Sequence, residues 1–109
     1  MGKAVVDVDA GICGMHTTIR ASSNGMMEPV KLEIESDCPH ITGLAEELTE
    51  VHPFEEIGFR GQGPKTLRLA AKHCQHAACP VPAGIIKAIE VAAGLALPQD
   101  ATISVRKEE

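Results

Sequence analysis

Val30-Lys31-Leu32-Glu33-Ile34-Glu35-Ser36-Asp37-Cys38-Pro39 decides the fold, because its hydrophobic pattern changes period partway along. Val30, Leu32 and Ile34 alternate with charged residues, as in a strand with one face on a core and the other in water. Pro39 suits the first position of a helix, where its missing N–H costs nothing. Ile41, Leu44, Ala45 and Leu48 then follow at helical spacing. A half-buried strand that runs straight into an amphipathic helix implies a sheet with helices on one side.

Upstream, residues 4–9 (AVVDVD) read as a strand with Val6 and Val8 on one face and Asp7 and Asp9 on the other. After the turn Gly11-Ile12-Cys13-Gly14, residues 16–21 (HTTIRA) are β-branched enough for a second strand. The two form a hairpin with Cys13 near its tip, and Ser22-Ser23-Asn24-Gly25 is the turn into the third strand. Downstream, residues 52–63 read as an ordered loop holding both phenylalanines, Phe54 and Phe59. Residues 64–73 read as a short helix with Leu67, Leu69 and Ala70 inward. The main helix starts at Pro80 or Val81 and runs to Ala93, with Ile85, Ile86, Ile89 and Ala93 inward. Gly94 ends it and Pro98 blocks its continuation, so residues 101–105 become a last strand and residues 106–109 a frayed tail. The expected fold is α+β, in the order β-β-β-α-α-α-β: a small antiparallel or mixed four-stranded sheet with helices packed on one face. Residues 1–109 make a single domain.

With 109 residues, 44% of them hydrophobic, the chain is long enough to bury one core without staples. That core is aliphatic, since there is no Trp or Tyr and only two Phe. The net charge of −5, with acidic residues scattered along the chain, is unlike the basic, aromatic-studded surfaces that bind nucleic acid. The N-terminus shows no apolar run of signal length, Asp7 interrupts what there is, and the myristoylation pattern is missing. No window approaches the roughly 18 continuous apolar residues of a membrane span. The expectation is a cytoplasmic protein with reduced thiols, with no membrane and no nucleic-acid partner.

Four cysteines then need an explanation. Cys74 and Cys79 lie in His73-Cys74-Gln75-His76-Ala77-Ala78-Cys79-Pro80-Val81-Pro82, one turn between two helices. Cys38 and Cys79 each stand before a Pro that starts a helix, near unpaired N–H groups that favour thiolate over thiol. Cys13 tops the hairpin. If those element ends share one rim of the sheet, Cys13, Cys38, Cys74 and Cys79 converge as an all-thiolate metal site, suited to an iron–sulfur cluster or zinc. The chain has no C-x2-C pair, the commonest zinc signature. The glycines beside Cys13 and the prolines after Cys38 and Cys79 suit the exposed amides that a cluster's sulfurs accept from. His73 or His76 is able to replace a thiol, although a His near a helix C-terminus already has a structural reason to be there. His16, His40 and His52 read as structural or surface residues, Met26-Met27 as a loop plug, and Asp7 with Asp9 as a solvated face. No nucleophile elbow, P-loop or dinucleotide fingerprint is present, and nothing marks the chain as an enzyme.

The run Cys79-Pro80-Val81-Pro82 resembles the Cys-Pro-x-Pro helix start of SirA/TusA-like sulfur carriers. That likeness extends over residues 79–105 and implies a persulfide on Cys79. Those carriers place the motif after an N-terminal strand, whereas here it follows a helix and has Cys74 upstream. Gly11-Ile12-Cys13-Gly14 with Thr17, Ser36-Asp37-Cys38, Ala78-Cys79-Pro80-Val81-Pro82 and Ala92-Ala93-Gly94-Leu95-Ala96-Leu97-Pro98 resemble an uncharacterised family of small cysteine-containing proteins from anaerobic bacteria and archaea. This resemblance spans most of the chain and implies oxygen-sensitive thiol or cluster chemistry.

Three readings follow from the residues. The first is a metal-binding protein with four convergent cysteines. The second is a sulfur-transfer or thiol redox protein with Cys79 as nucleophile and Cys74 as resolving thiol. The third is a scaffold domain with inert, buried cysteines. An unknown protein partner fits each of them, as either a monomer or a homodimer.

Overall fold

The strand-to-helix change at residues 30–39 is present in the computed structural model, which describes residues 2–108. Strand β1 covers Gly2–Asp9, β2 His16–Ser23, β3 Val30–Ser36 and β4 Glu50–Val51; helix α1 covers Pro39–Glu47, α2 Pro53–Glu56, α3 Lys65–His73 and α4 Val81–Ala92. The strands form one antiparallel sheet in the order β1-β2-β3-β4. The fold is α+β, with a four-stranded sheet as expected, but the fourth strand is not the expected one. Residues 101–105 lie in no strand and are exposed, so the expected last strand is a correction. The place beside β3 is taken by Glu50–Val51, where Val51 pairs with Val30 and is buried. Two residues are too few to show a period, which is why the sequence pattern does not reveal this strand.

The alternation in each strand sorts the sheet into two faces. Thr17, Ile19 and Ala21 of β2 and Val30 and Leu32 of β3 are buried, while Asp7, Asp9, Arg20, Lys31, Glu33 and Glu35 face solvent. Helix α4 lies on β1 and β2, and α1 lies on β3. From α1, Ile41 and Leu44 are buried, with Leu48 just beyond its end. Each aliphatic side chain so placed contributes about 1.5–3 kcal/mol over an exposed one. Ile85, Ala88, Ile89 and Ala92 bury the facing side of α4, whereas Ile86 is only half-buried.

Gly84 sets how closely α4 approaches the sheet. A Cβ there would stand 2.7 Å from Val8 Cγ2 and 3.5 Å from Val6 Cγ1. At the far end of the same helix, a Cβ on Gly2 would collide with the Ala92 carbonyl oxygen. Helix α4 therefore starts over Val8 and finishes over Gly2, antiparallel to β1. It closes as the glycine predicts: Gly94, at φ 79°, donates to Val91 O, and Leu95 donates to Glu90 O. This is the Schellman pattern, which satisfies the last carbonyls of the helix.

The segment read as an ordered loop contains a one-turn helix, α2, and a buried glutamate. Glu56 is 1% exposed, and its Oε2 accepts from Lys65 N (2.9 Å). Its Oε1 accepts from Thr66 N (2.9 Å) and from Thr66 Oγ1 (2.6 Å). A carboxylate from outside the helix thus caps the N-terminus of α3, where the residue at the cap position, Pro64, offers no side-chain acceptor. Along α3, Ala70 is buried and Leu69 packs against the core as expected, while Leu67 is only half-buried and the buried residue at the start is Thr66.

Candidate thiol site

Cys38 comes from the β3–α1 junction and Cys74 and Cys79 from the two ends of the α3–α4 connection, and each position is fixed by its own backbone bonds. Cys38 ends the connection from β3 and caps α1. Its N–H donates to Ser36 Oγ (3.1 Å), its carbonyl accepts from Thr42 N (2.9 Å), and Ser36 Oγ is bonded to Thr17 Oγ1 (2.7 Å). Asp37 secures the same corner to β2. Its N–H donates to His16 O (3.1 Å), and its Oδ2 accepts from His16 N (3.2 Å). Cys74 is the extended residue that stops α3, with its N–H on Ala70 O (2.8 Å). Cys79 closes a turn by donating from its N–H to His76 O (3.2 Å), just before Pro80 starts α4.

Helix α3 is locked onto α1 near the end that carries Cys74. Glu47 of α1 bonds Lys72 (Nζ to Oε2, 3.0 Å) and His73 Nε2. Gly43 gives room for the His73 ring, since a Cβ there would sit 3.1 Å from Nδ1. The hydrogen bond from His73, then that from Lys72, holds the Glu47 carboxyl below the usual carboxylate range. His73 therefore has a structural partner, the role its position at a helix end suggests.

The three thiols are half-buried and pack against the edge of the aliphatic core. Burial pushes the Cys74 thiol above the ordinary thiol range, and the neighbouring charges of Cys79 and Cys38, with hydrogen bonding to Cys79, push it further. Three of the four candidate thiols are thus neighbours around Cys74. They stand beside one another rather than as a finished ligand set. Among the described residues, no three His, Cys, Asp or Glu side chains are gathered so as to hold a metal ion.

Cys13 is placed differently. It occupies a tight turn in which Gly14 N donates to Gly11 O (2.9 Å), closed below by Ala10 N on Met15 O (3.1 Å). Gly11 (φ 101°) and Gly14 (φ 70°) take the left-handed conformations the turn needs, leaving Ile12 and Cys13 exposed at its tip. The tip stands at the same end of the sheet as Cys38, whose Asp37 neighbour is bonded to the hairpin base at His16. The start of α4, over Val8, is at that end too. Cys13 is exposed and is not among the groups that act on Cys74.

A second polar cluster sits at the base of this hairpin, on the open face of the sheet. His16 Nδ1 meets Asp9 Oδ1 (2.7 Å) and Nε2 meets Asp7 Oδ1 (3.2 Å), while Thr18 Oγ1 donates to Asp7 Oδ1 (2.8 Å). The sequence offered a signal for it that the strand-by-strand reading missed. The hairpin register pairs Asp9 with His16 and Asp7 with Thr18, and residues paired across strands share a face. Hydrogen bonds that the ring donates to Asp9 and then to Asp7 raise the His16 pKa above its ordinary 6.5. Linkage gives the sign. What the pair adds to stability is fully present below about pH 6.5 and is lost as pH rises through the raised folded value. In an NMR titration, His16 is expected to have a midpoint above about 6.5, moving down in Asp9→Asn; an unchanged midpoint would mean that the pair does not form.

Among the described residues, no helix is long and apolar enough to cross a membrane. No curated protein and no solved structure matches the chain. A family model matches residues 4–105, which contain all four cysteines, the hairpin, every helix and the segment after α4. The chain therefore belongs to DUF6951, described as a family of unknown function.

Proposed function

We propose that this protein binds a metal centre through Cys38, Cys74 and Cys79, with Cys13 as the fourth ligand, in a reducing, cytoplasmic setting. The observation that carries the reading is that Cys38, from the β3–α1 junction, and Cys79, from the same α3–α4 connection as Cys74, both act on the Cys74 thiol. Burial and the neighbouring thiols disfavour the Cys74 thiolate when no cation is bound. A soft cation reverses that balance, because it stabilises the thiolates that the site otherwise disfavours. The donor set suits zinc or an iron–sulfur cluster, both of which take thiolate ligands. Rotation of the three side chains about χ1 is an inexpensive change. The hairpin tip, at the same end of the sheet, supplies Cys13.

The contact of Cys74 with Cys79 also favours a second reading, a dithiol that carries sulfur or cycles through a disulfide. The two readings part in the same experiment. The chain is purified without oxygen, and its metal, acid-labile sulfide and intact mass are measured. The metal reading expects metal bound to the thiols. The dithiol reading expects a metal-free chain with a sulfur adduct on Cys79 or a Cys74–Cys79 disulfide.

A further inference from the structure

The free edge of β1 and the segment after α4 have complementary patterns, and among the described residues no strand pairing joins them. Strand β1 is the outer strand of the sheet, pairing with β2 alone. Its inward residues Ala4, Val6 and Val8 are only half-buried, whereas their neighbours Thr17, Ile19 and Ala21 on β2 are fully buried. The core thus stays open along that flank. An eight-residue edge with unpaired backbone groups is also a template for a further strand.

Residues 101–106 (ATISVR) have the composition and period of such a strand. Ile103 is 79% exposed and Val105 86% exposed, and Thr102, Ser104 and Arg106 alternate with them. The family model runs through residue 105, so the segment is part of the shared unit rather than an appendage. Pro98 disfavours a helical Leu97, and residues 98–108 are exposed and lie outside any helix or strand.

We propose that residues 101–106 of a second copy of this chain add to the sheet as a strand beside β1, reciprocally, to form a strand-exchanged dimer. Such exchange is a low-cost route to a symmetric dimer, since one surface serves both copies. Charge and pattern together select a parallel register. Ile103 beside Ala4 and Val105 beside Val6 cover the open flank of the core. The same alignment sets Arg106 beside Asp7 and Thr102 beside Lys3. It keeps the polar residues of the segment on the solvent face of the sheet and brings a cation to an acidic strand end.

The test is the mass of the full chain in solution by light scattering, with two substitutions. Ile103→Pro removes an N–H that the ladder needs, since in this register the outward carbonyls of β1, at Lys3 and Val5, accept from Ile103 and Val105, and the segment supports no other element. Arg106→Glu opposes Asp7. The proposal expects a dimer for the parent at about 100 μM, at least a tenfold weaker dimer for Arg106→Glu, and a monomer for Ile103→Pro with unchanged circular dichroism. A monomeric parent overturns it, because the edge would then be open or closed by the chain's own tail. A dimer indifferent to Ile103→Pro overturns it as well.

Discussion

A Cys74→Ser variant is expected to lose at least about a hundredfold in affinity for zinc or for a reconstituted cluster, more than any other single cysteine substitution. Cys74 is the thiol on which both neighbours act, so removing it leaves Cys38 and Cys79 without their common contact. Cys13→Ser is expected to cost least, because its ligand rides on an exposed turn whose ordering opposes binding. The parent should also bind more tightly as pH rises. Metal must displace the Cys74 proton, and burial, foremost among its causes, holds that proton above the usual thiol range. Affinity measured by competition with a chelator across pH checks both points. Equal losses for all four serine variants, or a flat pH response in the parent, would remove Cys74 from the centre of the site.

The second large effect lies away from the thiols. Glu56→Ala is expected to lower stability by about 3 kcal/mol, from the loss of hydrogen bonds to the buried N–H and hydroxyl of Thr66 and to the part-buried N–H of Lys65. For a domain of this size that corresponds to a fall in Tm of roughly 10–20 °C. Glu56→Gln keeps the shape and one acceptor oxygen and is expected to fall between the two. The loss should reach Cys74 as well, because Glu56 fixes the start of the helix that Cys74 ends. A thermal melt of Glu56→Ala within about 3 °C of the parent would show that α3 does not depend on this cap.

What could be read from the sequence followed from period. The β1–β2 hairpin, β3, α1 and α4 each repeat a pattern long enough to reveal which side is buried. Cys38 and Cys79 could be placed because prolines mark their helix starts. The failures have a common physical origin in contacts between residues far apart in the chain. β4 is two residues held by β3. α2 and the start of α3 are joined by Glu56, and no local pattern announces a buried carboxylate that reaches Thr66 across a loop. Residues 101–105 show the converse case. Their alternation is that of a strand, but an isolated strand needs an edge to pair with, and period alone does not say which chain supplies it. The thiol site was legible as a set of element ends. That three of those ends meet around Cys74 while Cys13 stays exposed depends on how α3 docks on α1 through Glu47, Lys72 and His73.

The most direct measurement is metal and acid-labile sulfide per chain in protein purified and reconstituted without oxygen, set beside the rate at which each cysteine is alkylated. The account predicts one zinc or one cluster per chain, with Cys38, Cys74 and Cys79 protected from alkylation until a chelator is added. A folded chain that takes up neither zinc nor iron and sulfide, and whose half-buried thiols react alike with and without chelator, would contradict it.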